Sequence, residues 1–243
     1  MLHPQQESSY FKLYPMGDSA IVVEFGKVLS PSVHARVMSF ANSLEVNPVY
    51  GIIEFVPAFT TITIYYDPWI VSKGGKQDAY ETMSVITHTL LTTLKSTTNT
   101  SYRIVDIPVC YGGKSGPDLS FVASHSGLSD EEVIAIHTAG DYKVYMIGFA
   151  PGFPYLGGMD TRISAPRKDT PRTLIPAGSV GIAGMQTGIY PIETPGGWQL
   201  IGRTPIALFD PVRENPSLLN AGDKVRFILI GLKEYEQKKQ NGY

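Results

Sequence analysis

The chain has 243 residues, 43% of them hydrophobic and 17% charged, with a formal net charge of −2. That balance fits a globular protein with a substantial core rather than a disordered one, and the absence of a basic stripe argues against a nucleic-acid partner. The apolar runs, such as residues 52–56, fall far short of a bilayer span, so no membrane partner is expected. Cys110 is the single cysteine, which excludes a disulfide framework, and the opening MLHPQQESSY lacks the basic and apolar regions of an export signal. A cytoplasmic location is the expectation.

In chain order, residues 11–14 and 20–25 read as short strands around a Met16-Gly17-Asp18 turn. Ser30 then caps a helix with Pro31 at its first position, and Val33, Val37, Phe40, Ala41 and Leu44 give it an apolar face. Residues 52–56 and 60–66 are β-rich and joined around Pro57-Ala58. Asp78 caps a second helix that buries Ala79, Met83, Ile86, Leu90 and Leu94. Strand, strand, helix, strand, strand, helix predicts helices packed on one face of an antiparallel sheet. The polar segment KSTTNTS, residues 95–101, is the expected boundary, giving an α+β domain over residues 1–100.

The second half opens with a strand at residues 104–109, followed by short helices at 118–125 and 130–138. The latter carries a capping-box pattern, Ser129 with Glu132. A strand at 142–149 and many short β-prone pieces follow, ending in a strand at 224–230. This pattern predicts a closed or nearly closed β-barrel over residues 101–232, and a frayed polar tail over 233–243.

Between Gly148 and Gly202 fall eleven of the 24 glycines and seven of the 18 prolines, interleaved with aromatic residues, and from Thr173 to Gly202 the only charge is Glu193. A flexible linker would be polar, so this stretch is read as tightly turned backbone that closely approaches the fold, a ligand or a partner. Gly113-Lys114-Ser115 lacks the glycine that a phosphate-binding loop needs five positions earlier, where Pro108 stands, and is read as a surface turn. Gly178-Ser179-Val180-Gly181 lacks the first glycine of a nucleophile elbow, but its backbone amides suit an anion nest. The five histidines show no metal-ligand spacing, so no metal site is expected. His137 is either a hydrogen-bonded core residue or a general base. Arg167, Arg172 and Arg203 flank the uncharged stretch, and their guanidinium forks either bind an anion or form internal ion pairs. Tyr155, Tyr190 and Trp198 either line a pocket or interface, or pack in the core.

Taken together, YMIGFAPGFPYLGGMD (145–160), TPRTLIPAGSVGIAG (170–184), QTGIYPIETPGGWQLIGRT (186–204) and AGD (221–223), with PVCYGG (108–113) and GPDL (116–119), resemble the allophanate hydrolase subunit 1 family, whose members are also called the B subunit of 5-oxoprolinase. The resemblance covers nearly the whole chain. It implies an α+β fold, with a small N-terminal domain before a cyclophilin-like β-barrel of the carboxyltransferase subdomain C and D type. It further implies one component of a heteromeric ATP-dependent 5-oxoprolinase that converts 5-oxo-L-proline to L-glutamate together with C and A subunits, using ATP and magnesium at a site shared with a partner. One bacterial family member inhibits a sporulation sensor histidine kinase, so such a kinase is the alternative partner the resemblance implies. The catalytic candidates are His137, Arg172 and Arg203. The surface expected to meet substrate, nucleotide or partner comprises Tyr145, Phe153, Tyr155, Arg167, Gly178, Ser179, Gln186, Tyr190, Trp198 and Thr204, with Phe153, Tyr155 and Trp198 as exposed anchors.

Overall fold

A computed structural model describes residues 11–28, 30–94 and 102–241; the expected boundary segment 95–101 lies outside them. The chain divides into two compact units, Met1–Ser101 and Tyr102–Tyr243.

The first unit contains β1 (Lys12–Pro15), β2 (Ala20–Glu24), α1 (Pro31–Val46), β3 (Ile52–Ala58), β4 (Thr61–Tyr66), α2 (Pro68–Val71) and α3 (Ala79–Thr93). Its four strands form an antiparallel sheet in the order β1-β2-β4-β3. Ser30 is extended and its hydroxyl accepts from the Val33 amide, which starts α1; Asp78 does the same for α3 through the Glu81 amide. Val33, Val37, Phe40 and Leu44 meet Ile21, Val23, Ile62, Ile64 and Met83 in one core, so the helices cover one face of the sheet. Two details differ from the sequence reading. Pro57 and Ala58 stay in β3 rather than forming the turn, because β3 is an edge strand where a missing N–H removes no needed ladder bond. Helix α2 was not expected, because four residues capped by Asp67 show no periodicity.

The second unit contains β5 (Ile104–Tyr111), α4 (Leu119–Ser126), α5 (Asp130–Ala139), β6 (Tyr142–Ile147), β7 (Pro154–Gly157), β8 (Arg172–Ile175), β9 (Ser179–Ala183), β10 (Gln186–Ile189), β11 (Thr194–Gly196), β12 (Gln199–Arg203), β13 (Lys224–Leu229) and α6 (Leu232–Gln240). Seven strands close a barrel in the order β10-β7-β6-β13-β5-β12-β9, and β8 pairs with β11 as a separate ribbon. The β5–β13 pair is parallel, joining the two ends of the unit. Ile107, Val109, Val144, Leu156, Val180, Ile182, Ile201, Val225 and Phe227 fill the core with α4 and α5 residues Val122 and Val133. Both bonds of the Ser129–Glu132 capping box form. The tail expected to fray is instead helix α6, because Tyr235 gives its polar sequence one apolar anchor, buried with Cys110 and Ile230.

Candidate functional site

Asp118 lies at the entry to α4, but its carboxylate does not cap that helix. It turns to β12 and β8 instead: Oδ2 accepts from the Leu200 amide at 2.7 Å, Oδ1 accepts from Arg172 Nη2 at 2.7 Å, and Lys168 Nζ lies 3.6 Å from Oδ1. The Asp118 amide donates to the Leu200 carbonyl, so the residue is fixed through backbone and side chain together. Burial alone would raise its pKa, but the hydrogen bonds from Arg172 and Leu200 and the charges of Arg172 and Lys168 outweigh it and hold the carboxyl below its ordinary value.

Arg172 opens β8 and stands opposite Gly196 of β11. Its side chain is 25% exposed. Nη2 is engaged by Asp118, whereas Nη1 is buried and meets no acceptor among the described residues. Gly196 admits the Tyr190 ring: a Cβ there would come 2.5 Å from the Tyr190 hydroxyl and 2.7 Å from Ile175 Cδ1. Burial raises the pKa of the Tyr190 hydroxyl against the nearby Trp198 amide and the opposing charges of Arg167 and Arg172. It therefore stays protonated as a donor at neutral pH.

Behind this edge lies an aromatic cluster. Phe153 is edge-to-face with Tyr155, Tyr190 and Trp198, at ring-centroid separations of 5.0, 5.4 and 5.6 Å. The loop 164–171 carries exposed Arg167 and half-buried Lys168. It is tied down by Gln199 Nε2 donating to the Pro166 carbonyl and by the Lys168 amide donating to the Gly197 carbonyl. The structure thus joins Arg172, Tyr155, Tyr190, Phe153 and Trp198 in one region, with Arg167 acting electrostatically on Tyr190.

Other expected site residues are placed differently. Phe153 and Trp198 are 2% and 6% exposed, so they are not surface anchors; apolar packing against Ile175, Ala183 and Leu200 draws them inside. The exposed aromatic here is Phe149, at 65%, held at φ +67° and touching Phe153 at 5.4 Å. His137 is fully buried between Tyr111 and Thr187, at 2.8 and 3.0 Å, and burial lowers its pKa to about 3. That is the core-residue alternative, not a general base. The anion-nest reading does not hold: the Gly178 amide donates to the Tyr190 carbonyl, the Ser179 amide to the Pro176 carbonyl, and Gly181 sits inside the barrel ladder. Ser179 and Thr204 are buried; the Ser179 hydroxyl donates to the Pro176 carbonyl, and Thr204 Oγ1 accepts from the Ile206 amide. Gly178 is likewise buried, so none of these three is a contact surface. Arg203 lies elsewhere, its Nε donating to the Ala177 carbonyl and its charge acting on Tyr235. Tyr145 packs its ring against Gly157, where a Cβ would overlap it, and Gln186 begins β10 opposite Ala183. Gly113-Lys114-Ser115 forms a turn.

The sequence reading passed over Asp118, Lys168 and Phe149. Asp118 reads in sequence only as the first residue of the helix at 118–125; nothing local reveals its partners 54 and 82 residues away. Among the described residues no three of His, Cys, Asp and Glu come together as metal ligands, and no helix is long and apolar enough to cross a membrane.

Residues 11–219 match the model of the carboxyltransferase domain, subdomain C and D. The chain is 51% identical to the B subunit of 5-oxoprolinase from Bacillus subtilis over 95% of its own length and 97% of that protein's. The crystal structure of TTHA0988 is similar at 39% identity and a TM-score of 0.74; the match covers 87% of this chain but 40% of that longer one. The Kluyveromyces lactis urea amidolyase structure, 21% identical, shares the fold over 99% of this chain and 16% of that enzyme, with a TM-score of 0.74. The chain therefore belongs to the carboxyltransferase subdomain C and D family, among the B subunits of 5-oxoprolinase.

Proposed function

We propose that this chain is the B subunit of an ATP-dependent 5-oxoprolinase and works with separate C and A subunits. The observation that carries this reading is the near full-length, 51% match to a 5-oxoprolinase B subunit. The 40% coverage of the longer TTHA0988 chain supports a barrel that functions beside further polypeptide.

A lactam is a poor electrophile. Transfer of the ATP γ-phosphoryl group to its carbonyl oxygen, with loss of the ring N–H proton, gives an activated imidate; water adds at that carbon, the C–N bond breaks as the protonated nitrogen leaves as the amine, and a second water hydrolyses the resulting γ-glutamyl phosphate to glutamate and phosphate. Such chemistry rests on positioned cations and donors more than on a protein nucleophile. In this chain Arg172, Lys168 and Arg167 supply the cations, and the buried Ser179 and sealed His137 supply neither nucleophile nor base. With the Gly178 and Ser179 amides engaged and Gly113-Lys114-Ser115 in a turn, the reading puts ATP and its magnesium against a partner chain.

Reconstitution tests it. The chain mixed with the C and A subunits should release glutamate from 5-oxoproline only when ATP is present. Equal turnover with this chain left out, or none with all three subunits present, would overturn the reading.

A further inference from the structure

A buried guanidinium nitrogen without an acceptor is costly, and more so for a charged group than a neutral one. Arg172 Nη1 is in that position while Nη2, its neighbour on the same plane, is locked to Asp118. The guanidinium is therefore anchored through Nη2, and the N–H donors of Nη1 are left without an acceptor. Across the ribbon, at Gly196, lies the Tyr190 hydroxyl, which burial keeps protonated with its own proton to donate.

The ligand class follows from what surrounds these donors. Asp118 already serves Arg172, the Leu200 amide and Lys168, so it is not free to hold a cation beside a triphosphate. Of the neighbouring side chains Tyr155 is partly open, and Phe153, Ile175 and Trp198 back it from the core, so the flank is mainly an aromatic face. One guanidinium nitrogen, one hydroxyl and an aromatic flank suit a single carboxylate on a small ring. We propose that Arg172 Nη1 and the Tyr190 hydroxyl bind the carboxylate of a small lactam acid, with Asp118 as the positioning residue that orients Arg172. The choice of 5-oxoproline as that acid rests on the proposed function above.

The test is calorimetric titration of 5-oxo-L-proline and of 2-pyrrolidinone, the same ring without the carboxylate, into the chain alone and into its complex with the C and A subunits. The wild type should prefer 5-oxoproline by about tenfold or more, the range for a hydrogen bond to a charged group. Arg172→Lys keeps a cation for Asp118 but loses the second nitrogen; it should bind both compounds equally while its melting curve stays close to wild type. Tyr190→Phe should lose a smaller part of the preference. Asp118→Asn should raise the KM for 5-oxoproline in the complex but not the KM for ATP, and Asp118→Glu should recover part of the loss; a merely structural role would move both constants together. Retained preference in Arg172→Lys, displacement of 5-oxoproline by ATP, or no saturable binding in either setting would each overturn the proposal, the last leaving Nη1 to water. Turnover by an Arg172→Lys complex with unchanged KM would overturn this inference alone. If the wild-type complex shows no turnover, the 5-oxoprolinase reading falls, and the binding preference still decides the role of Arg172.

Discussion

His137 and Arg172 are both polar side chains drawn into the barrel unit, and their surroundings are completed in opposite ways. The ring of His137 has a partner on each nitrogen. Thr187 donates to the Gly181 carbonyl, so it accepts from His137 Nε2, which leaves Nδ1 to accept from the Tyr111 hydroxyl. Tyr142, Tyr111 and Phe227 pack around the ring, and Tyr142 also donates to the His137 carbonyl. Every donor has an acceptor, and the cluster is sealed. Around Arg172 the count stops one acceptor short, at the rim, where a quarter of the side chain still reaches solvent. A satisfied buried network rigidifies a fold, whereas one left incomplete beside solvent is where a ligand gains most. The same contrast divides two phenylalanines: Phe153 is packed on four aromatic rings, and Phe149, four positions earlier, is exposed on strained backbone.

The largest test of this contrast is Phe153→Ala, which should cost about 4 kcal/mol in chemical denaturation, as for a fully buried aromatic. A loss under about 1 kcal/mol would mean that the aromatic cluster is a surface after all. Asp118→Ala should cost about 3 kcal/mol, the lower end for breaking a buried ion pair, because Arg172 keeps some access to water. A negligible cost would place that pair with ordinary surface salt bridges and remove Asp118 as an orienting group.

Acid should open the sealed cluster first. His137 has a folded-state pKa lowered by burial to about 3 from the ordinary 6.5. Its stabilising contribution is full above pH 6.5. It falls as the pH drops from 6.5 toward 3, because the unfolded chain takes up a proton that the folded chain refuses, at about 1.4 kcal/mol per pH unit. Asp118, with its folded pKa lowered, contributes stability above its ordinary value of 3.8 and loses it only as the pH falls through the lower folded value. Denaturation of wild type and His137→Leu from pH 4 to pH 7.5 should therefore differ in slope. Parallel curves would show that His137 protonates without leaving its site. The smallest effect belongs to Phe149→Gly: relief of left-handed backbone strain offsets the lost ring contact and the added freedom of the unfolded chain, leaving stability within about 0.5 kcal/mol of wild type.

The legible parts of this protein are those whose causes lie within a few residues. Ser30, Asp78 and the Ser129–Glu132 box announce their helices because a cap bonds to an amide within the first turn. The Gly/Pro-rich stretch announces close approach because only glycine admits the Tyr190 hydroxyl at position 196. Polar α6 is not legible because a single buried tyrosine, Tyr235, holds it, and one residue makes no periodic signal. Trp198 takes the core alternative that its sequence leaves open, and Phe153 is buried rather than an exposed anchor, because an aromatic side chain looks the same in sequence whether it is covered or exposed.

By itself the sequence determined the order of the elements, their caps, the α+β character and, through its motifs, the family. Only the tertiary structure decided that β5 pairs in parallel with β13, that the barrel closes through seven strands, and that Asp118 meets Arg172 and the Leu200 amide. Helix caps and turns are short-range hydrogen bonds that local residues choose. Barrel closure and the orientation of one guanidinium depend on chain segments 54 to 120 residues apart, which are selected by how the whole core packs.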